Sequence, residues 1–183
     1  EHAHEESDFL TLLALWNTYH DKARHLSSNK LKKWCRDRFL SMFRMREWHD
    51  IHSQLKSMMT EHGGHLNTEP ASYDAVHRAL LAGLLSGVAR LDERGEYEGT
   101  HATRFFIHPG SGQFSARPKW IVTGERVRTT KLYARMVARI DASWIDSVGA
   151  HLVRKSHSEP SWDEERGGAF VLDTERDRIV PEG

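Results

Sequence analysis

Residues 119–140 read KWIVTGERVRTTKLYARMVARI. Two runs of β-branched, aromatic and alternating polar residues flank Thr129-Thr130-Lys131, and both read as strands. In the second run, Leu132, Ala134, Met136, Ala138 and Ile140 fall on one face, and Tyr133, Arg135, Val137 and Arg139 fall on the other. This is the pattern of a half-buried strand with a basic outer face. It predicts that the even-numbered residues, Met136 among them, point into a core.

The same period of two extends upstream. VARLDER and EYEGT flank Gly95 as a hairpin, and ATRFFIHP supplies a further strand. Five short strands within residues 87–140 suit a small closed barrel such as an OB-fold. SWIDSVGAHLVR follows as a terminal helix. Beyond it, KSHSEPSWDEERGG is linker-like, and AFVLDTERDRIV resembles one strand of a further region.

Before Gly87 the period is helical. Ser7 is a good N-cap for a helix whose stripe is Phe9, Leu12, Leu13, Trp16, Tyr19 and Ala23. Ser27-Ser28-Asn29 opens a second helix with Leu31, Trp34 and Cys35 inward. A third runs from about Asp37 to His62, with Leu40, Phe43, Trp48, Ile51, Leu55 and Met58 or Met59 as its stripe, and ends at Gly63-Gly64. YDAVHRALLAGLLSG is a fourth. Four helices with short links predict a small bundle. The expected fold is α+β: a helical domain over residues 1–86, a barrel domain over 87–153, and a linker with the start of another region over 154–183.

Composition narrows function. The 183 residues carry 26 Lys+Arg against 26 Asp+Glu, so the chain has no net charge with which to bind nucleic acid as a whole. The charge is instead segregated. Lys22 to Lys56 holds ten bases and three acids, Gln113 to Arg139 holds seven bases and one acid, and residues 159–183 hold eight acids and three bases. Cys35 stands alone, which excludes an intrachain disulfide and a cysteine-rich zinc site. No apolar run approaches membrane length and EHAHEESDFL is not a signal peptide, so the chain reads as cytoplasmic. A start without Met and an end straight after the strand-like RDRIV read as an excised piece of a longer protein.

The segment His108-Pro109-Gly110-Ser111-Gly112 admits three readings. It is a base beside a serine nucleophile, an anion cradle of backbone N–H groups, or a connection between strands. Catalysis needs a third orienting group and an oxyanion site, and nothing in the sequence indicates either. The His62-Gly-Gly-His65 and His2-Ala-His4 pairs lack a convergent third ligand, so no metal site is expected. Trp16, Trp34, Trp48 and Trp120 sit at core-type spacings. Tyr133 differs, because it shares its face with Arg135 and Arg139; aromatic plus arginine suits a single-strand groove, and a solvated charged face is the plain alternative.

SDFLTLLALWNTY and NKLKKWCRDRFLSMFRMREWHDIHSQL resemble the helicase-associated, ratchet-like domain of DEAH-box RNA helicases. ALLAGLLSGVARL, FFIHPGSGQF and PKWIVTGERVRTTKLYARMVARIDASWI resemble the OB-fold domain that follows it in that family, and the HPGSG loop and SEPSW segment resemble the bacterial HrpA type. The resemblance implies an accessory C-terminal region that grips single-stranded RNA and helps enclose it. GxxxxGK[ST] and DEAH motifs do not occur here, so the ATPase, with its ATP and Mg, is expected in RecA-like domains upstream in the same chain. The fragment itself is expected to need no cofactor.

Candidate RNA contacts are Arg117, Lys119, Thr129, Lys131, Tyr133, Arg135 and Arg139 in the barrel and Lys32, Lys33 and Arg36 in the helices, with the loop residues His108, Gly110, Ser111 and Gly112 as weaker ones. The rival reading is a protein-docking module whose barrel face receives a regulator or a ribosomal component. No membrane partner is expected.

Overall fold

The computed structural model describes residues 4–149 and the backbone of four short strands, Val153–Arg154, Ser161–Asp163, Gly168–Phe170 and Arg178–Ile179. The linker-like run after Arg154 and the acidic tail lie largely outside the described residues. The chain divides into two compact units. One is Leu12–Ser72; the other takes in the described residues up to Thr11 and those from Tyr73 onward.

The second unit is built on a closed barrel of β1 (Val88–Leu91), β2 (Tyr97–Gly99), β3 (Arg104–Ile107), β4 (Trp120–Arg128) and β5 (Leu132–Arg139), in the order β1-β2-β3-β5-β4. All neighbours are antiparallel except β3 and β5, which run parallel, and β4 closes on β1. Gly95 turns the first hairpin at φ +81°, a conformation that glycine adopts without strain. Glycine is also required at Gly87, where a methyl group would collide with the Thr123 carbonyl oxygen as the chain enters β1.

Two apolar cores flank the barrel wall. Ala89, Tyr97, Phe105, Ile107, Ile121, Ala134 and Val137 fill the interior. Leu81, Val88, Val122, Ala138, Ile140, Trp144 and Ile145 form a second cluster outside it, beneath α4 (Tyr73–Gly83) and α5 (Ala142–Val148). β5 therefore buries both faces of its last turns, and its simple alternation fails. Met136 has φ +55°, so the strand changes face there: Met136 is half-buried, while the adjacent Val137 and Ala138 are both 0% exposed. Val137, not Met136, occupies the barrel interior. Thr123 spans the irregularity from β4, its hydroxyl lying 2.9 Å from the Glu125 carbonyl oxygen and 2.8 Å from that of Arg135.

α4 packs with the barrel rather than in a four-helix bundle. Its inward residues are Leu81 and His77, and Leu81 joins Trp144 and Ile145. The boundary by contact thus falls at Tyr73, where periodicity had placed it near Gly87. The segment before α1 (Asp8–His25) is stitched to the same unit. Arg139 N–H donates to the Glu6 carbonyl (3.1 Å), and Ser7 bridges to Ala138. Ser7 caps α1 by accepting from Leu10 N–H and is sealed against His77, with Oγ 2.7 Å from Nε2. His77 Nδ1 donates to the Tyr73 carbonyl at 2.7 Å, so Nε2 is the acceptor for Ser7. Both side chains are 0% exposed, which makes this serine–histidine pair a structural hydrogen bond out of reach of any substrate. Burial holds the His77 pKa below the ordinary histidine value.

In the helical unit, the later turns of α1 meet α2 (Ser28–Arg36) and α3 (Met42–Glu61) around Tyr19, Leu31, Cys35 and Met45, with Trp34, Leu40 and Trp48 at the edge. The expected stripe of α3 is only partly covered. Phe43, Ile51, Leu55, Met58 and Met59 are exposed. The covered side of α3 is instead that of Met45 and Trp48, which face Tyr19, Leu31 and Cys35.

Candidate nucleic-acid interface

The parallel pairing of β3 with β5 sets Phe106 opposite Tyr133 and Ile107 opposite Ala134. Ile107 and Ala134 point inward, so Phe106 and Tyr133 share the outer face, with ring centroids 6.4 Å apart. Lys131 extends its ammonium over the Phe106 ring, 4.3 Å from the centroid. His108 sits edge-on to Tyr133 at 5.8 Å, and Arg135 reaches within 3.5 Å of His108 Nε2. Phe106, His108 and Tyr133 are half-buried, whereas Lys131 and Arg135 are exposed. The result is one contiguous patch of three rings and two cations.

The protonation of His108 follows from its other hydrogen bond. Nδ1 accepts from Gly110 N–H at 3.0 Å, so in the neutral ring the proton is on Nε2. Arg135 stands beside this ring, its Nη2 3.5 Å from Nε2, and leaves a guanidinium and an imidazole edge side by side where a phosphate or a base can meet them.

The HPGSG loop beside this patch spends most of its donors internally. Asp8 accepts from Ser111 Oγ (2.6 Å), Gly112 N–H (2.9 Å) and Val137 N–H (2.9 Å). Gln113 is 1% exposed and donates to the Glu5 carbonyl at 2.8 Å. The place that an anion would take at Ser111 and Gly112 is filled by the protein's own carboxylate. The loop connects strands and positions His108.

The other sequence candidates are dispersed. Thr129 is exposed in the β4–β5 turn, its N–H donating to the Lys131 carbonyl at 2.9 Å, so it borders the patch. Arg117 donates to the Gly95 carbonyl at 3.2 Å, beside the β1–β2 turn. Lys119 precedes Trp120, which pairs with Arg90 of β1. Arg139 lies six residues along β5 from Tyr133, at most about 20 Å away, and is paired with Glu6 at 2.8 Å. Lys32, Lys33 and Arg36 are exposed on α2 of the helical unit. Phe106 and Asp8 were missed in the sequence. Phe106 is hidden because its partner strand is set by long-range pairing, and Asp8 reads only as an ordinary acid in a first helical turn.

One neighbouring cation is already paired. Arg104 on β3 meets Asp92 at 2.6 Å and Glu96 at 3.7 Å. The Asp92 carboxylate also accepts from Glu96 N–H and Arg94 N–H; the Glu96 bond is the chief cause that holds its carboxyl below the usual range. Burial pushes the Tyr97 hydroxyl up to about 12, and it donates to the Pro118 carbonyl at 2.7 Å, pinning the start of β4. Among the described residues, no three His, Cys, Asp or Glu side chains converge as metal ligands, and no helix is long and apolar enough to cross a membrane.

A closed five-stranded barrel in this order is the fold of the oligonucleotide/oligosaccharide-binding (OB) family, and residues 76–152 match that family's sequence model. The match includes most of α4, in keeping with its place on the barrel. More particularly, the chain is similar to part of the HrpA-type helicases. It is 43% identical over 173 residues to the ATP-dependent RNA helicase HrpA of Escherichia coli (strain K12), which covers 94% of this chain and 13% of that protein. It is 39% identical over 170 residues to the ATP-dependent RNA helicase HrpA homolog of Haemophilus influenzae, covering 92% of this chain and 13% of the relative. The chain thus spans 13% of the length of these relatives.

Proposed function

We propose that this chain grips single-stranded RNA on the outer β3–β5 face of its barrel, as the accessory part of an RNA helicase. The observation that carries this reading is the single outer-face patch in which the rings of Phe106, His108 and Tyr133 lie together with the cations of Lys131 and Arg135. Rings offer stacking to any base, and the two cations and His108 offer contacts to phosphate. Such a grip is strong enough to hold a strand and tolerant enough of sequence to let it slide. In this reading the RecA-like domains of the same polypeptide supply translocation with ATP and Mg, and the gripping face helps enclose the strand.

The test is titration of the chain with a labelled oligouridine strand at two salt concentrations. Charge reversal at Lys131→Glu with Arg135→Glu should weaken binding for all sequences alike. Each lost phosphate contact should reduce the log–log salt slope by about 0.7. Unchanged affinity and slope, with the barrel intact by circular dichroism, would move the RNA path off this face and leave it to a protein regulator.

A further inference from the structure

From the corner between α2 and α3, we infer a second single-strand contact in which Phe39 stacks on a base and the basic arc of α2 holds the adjoining phosphates. The inference rests on the reading of the chain as a single-strand binder and extends it to a residue and a unit that the barrel face does not include.

Phe39 is unusual on two independent counts. It is 100% exposed, whereas the exposed apolar residues of α3 retain partial cover. It also holds φ +57°, the left-handed conformation that disfavours every residue with a Cβ. The local cause is the way α2 ends. Phe39 N–H donates to the Arg36 carbonyl (3.1 Å) and Leu40 N–H to the Cys35 carbonyl (2.9 Å). These are the two bonds of a helix-closing turn whose left-handed position usually belongs to glycine. Leu40 and Cys35 then pack inward, and the strained residue is left at the tip, pointing its ring into solvent. Glycine there would remove the strain and the exposed ring together, so neither folding nor solubility accounts for a phenylalanine. A strained position bearing a functional side chain does.

The surroundings identify the ligand class. α2 contains Lys30, Lys32, Lys33 and Arg36 and no acid, and its apolar residues Leu31 and Cys35 are buried, so the solvent side of the helix is basic. Arg38, adjacent to Phe39, lies 4.8 Å over the Trp34 ring and extends the positive edge. An exposed ring bordered by cations matches the alternating bases and phosphates of a flexible strand. A purely apolar protein partner would not answer the charges of Lys30, Lys32 and Lys33.

The experiment uses the chain and a fluorescein-labelled oligouridine strand. Phe39→Gly should raise the melting temperature by relieving the backbone, yet weaken RNA binding about 5- to 150-fold, the range for one lost base stack. The salt slope should stay unchanged, because no charge is lost. Phe39→Trp should bind at least as well as the parent, and Phe39→Leu should bind as poorly as Phe39→Gly. Unchanged RNA affinity in Phe39→Gly overturns the inference, as does a lowered melting temperature, which would mean that the ring packs. Full affinity in Phe39→Leu overturns it too, since an apolar side chain without a π-face would suffice. The barrel variant separates the two readings. Loss of affinity on reversing Lys131 and Arg135, with Phe39→Gly unaffected, leaves the barrel reading standing alone; the opposite pattern removes the barrel and leaves the corner.

Discussion

Replacing Asp8 with alanine isolates the contact that ties the first helix, the HPGSG loop and β5 together. The carboxylate accepts from Ser111 Oγ, Gly112 N–H and Val137 N–H, all within 3 Å. The three donors do not count equally. Ser111 is half-buried and Gly112 exposed, so both regain water when the acceptor goes; Val137 is 0% exposed and does not. An unsatisfied buried N–H costs about 1–3 kcal/mol, and each of the two rehydrated contacts contributes about 0.5–1.5 kcal/mol. Loss of an acid from the first helical turn adds about 0.3–1 kcal/mol. Together these predict a loss of about 2–7 kcal/mol, concentrated in the barrel unit. Amide hydrogen exchange reads it locally: the Val137 and Gly112 amides should lose protection while the amides of α3 keep theirs. Because the loop places His108 beside Arg135, RNA affinity should fall as well, more at low salt than at high salt. A destabilisation below about 0.5 kcal/mol, or an unchanged Val137 amide, would show that this carboxylate is a bystander.

Two further outcomes test the packing. Val137→Asp places a carboxylate in the barrel interior and should cost several kcal/mol, whereas Met136→Asp, at the half-buried left-handed position, should be far milder in thermal melts. Equal effects would mean that β5 does not change face at Met136. For His77, burial lowers the folded-state pKa, so between that value and the ordinary 6.5 the unfolded chain binds the extra proton. Its contribution is therefore complete above the ordinary value and is lost as pH falls through it, at up to about 1.4 kcal/mol per pH unit. Urea melts of the parent and of His77→Gln from about pH 8 to about pH 5 should converge on the acid side, and parallel curves would remove His77 from the acid response.

Much of this chain was legible as sequence because it follows from local rules. The Ser7 cap, the basic α2, the Gly95 hairpin and the succession of strands ending in LYARMVARI each depend on neighbours within a few residues, where propensity and period act directly. The closed barrel was a sound expectation for the same reason: five short alternating strands must close or leave bare edges. What escaped was whatever depends on a partner far along the chain. Phe106 looks like any strand residue until parallel pairing sets it opposite Tyr133, 27 positions later. Lys119 and Arg139 share the basic run with Lys131 and Arg135, yet the barrel carries them to other places, and Glu6 takes one of them. α4 has the period of a bundle helix and joins the barrel because Trp144 and Ile145 offer it a surface there. The HPGSG loop could have cradled an anion by its composition alone. Asp8, more than a hundred residues earlier, already occupies its donors, and no reading of local sequence carries that distance.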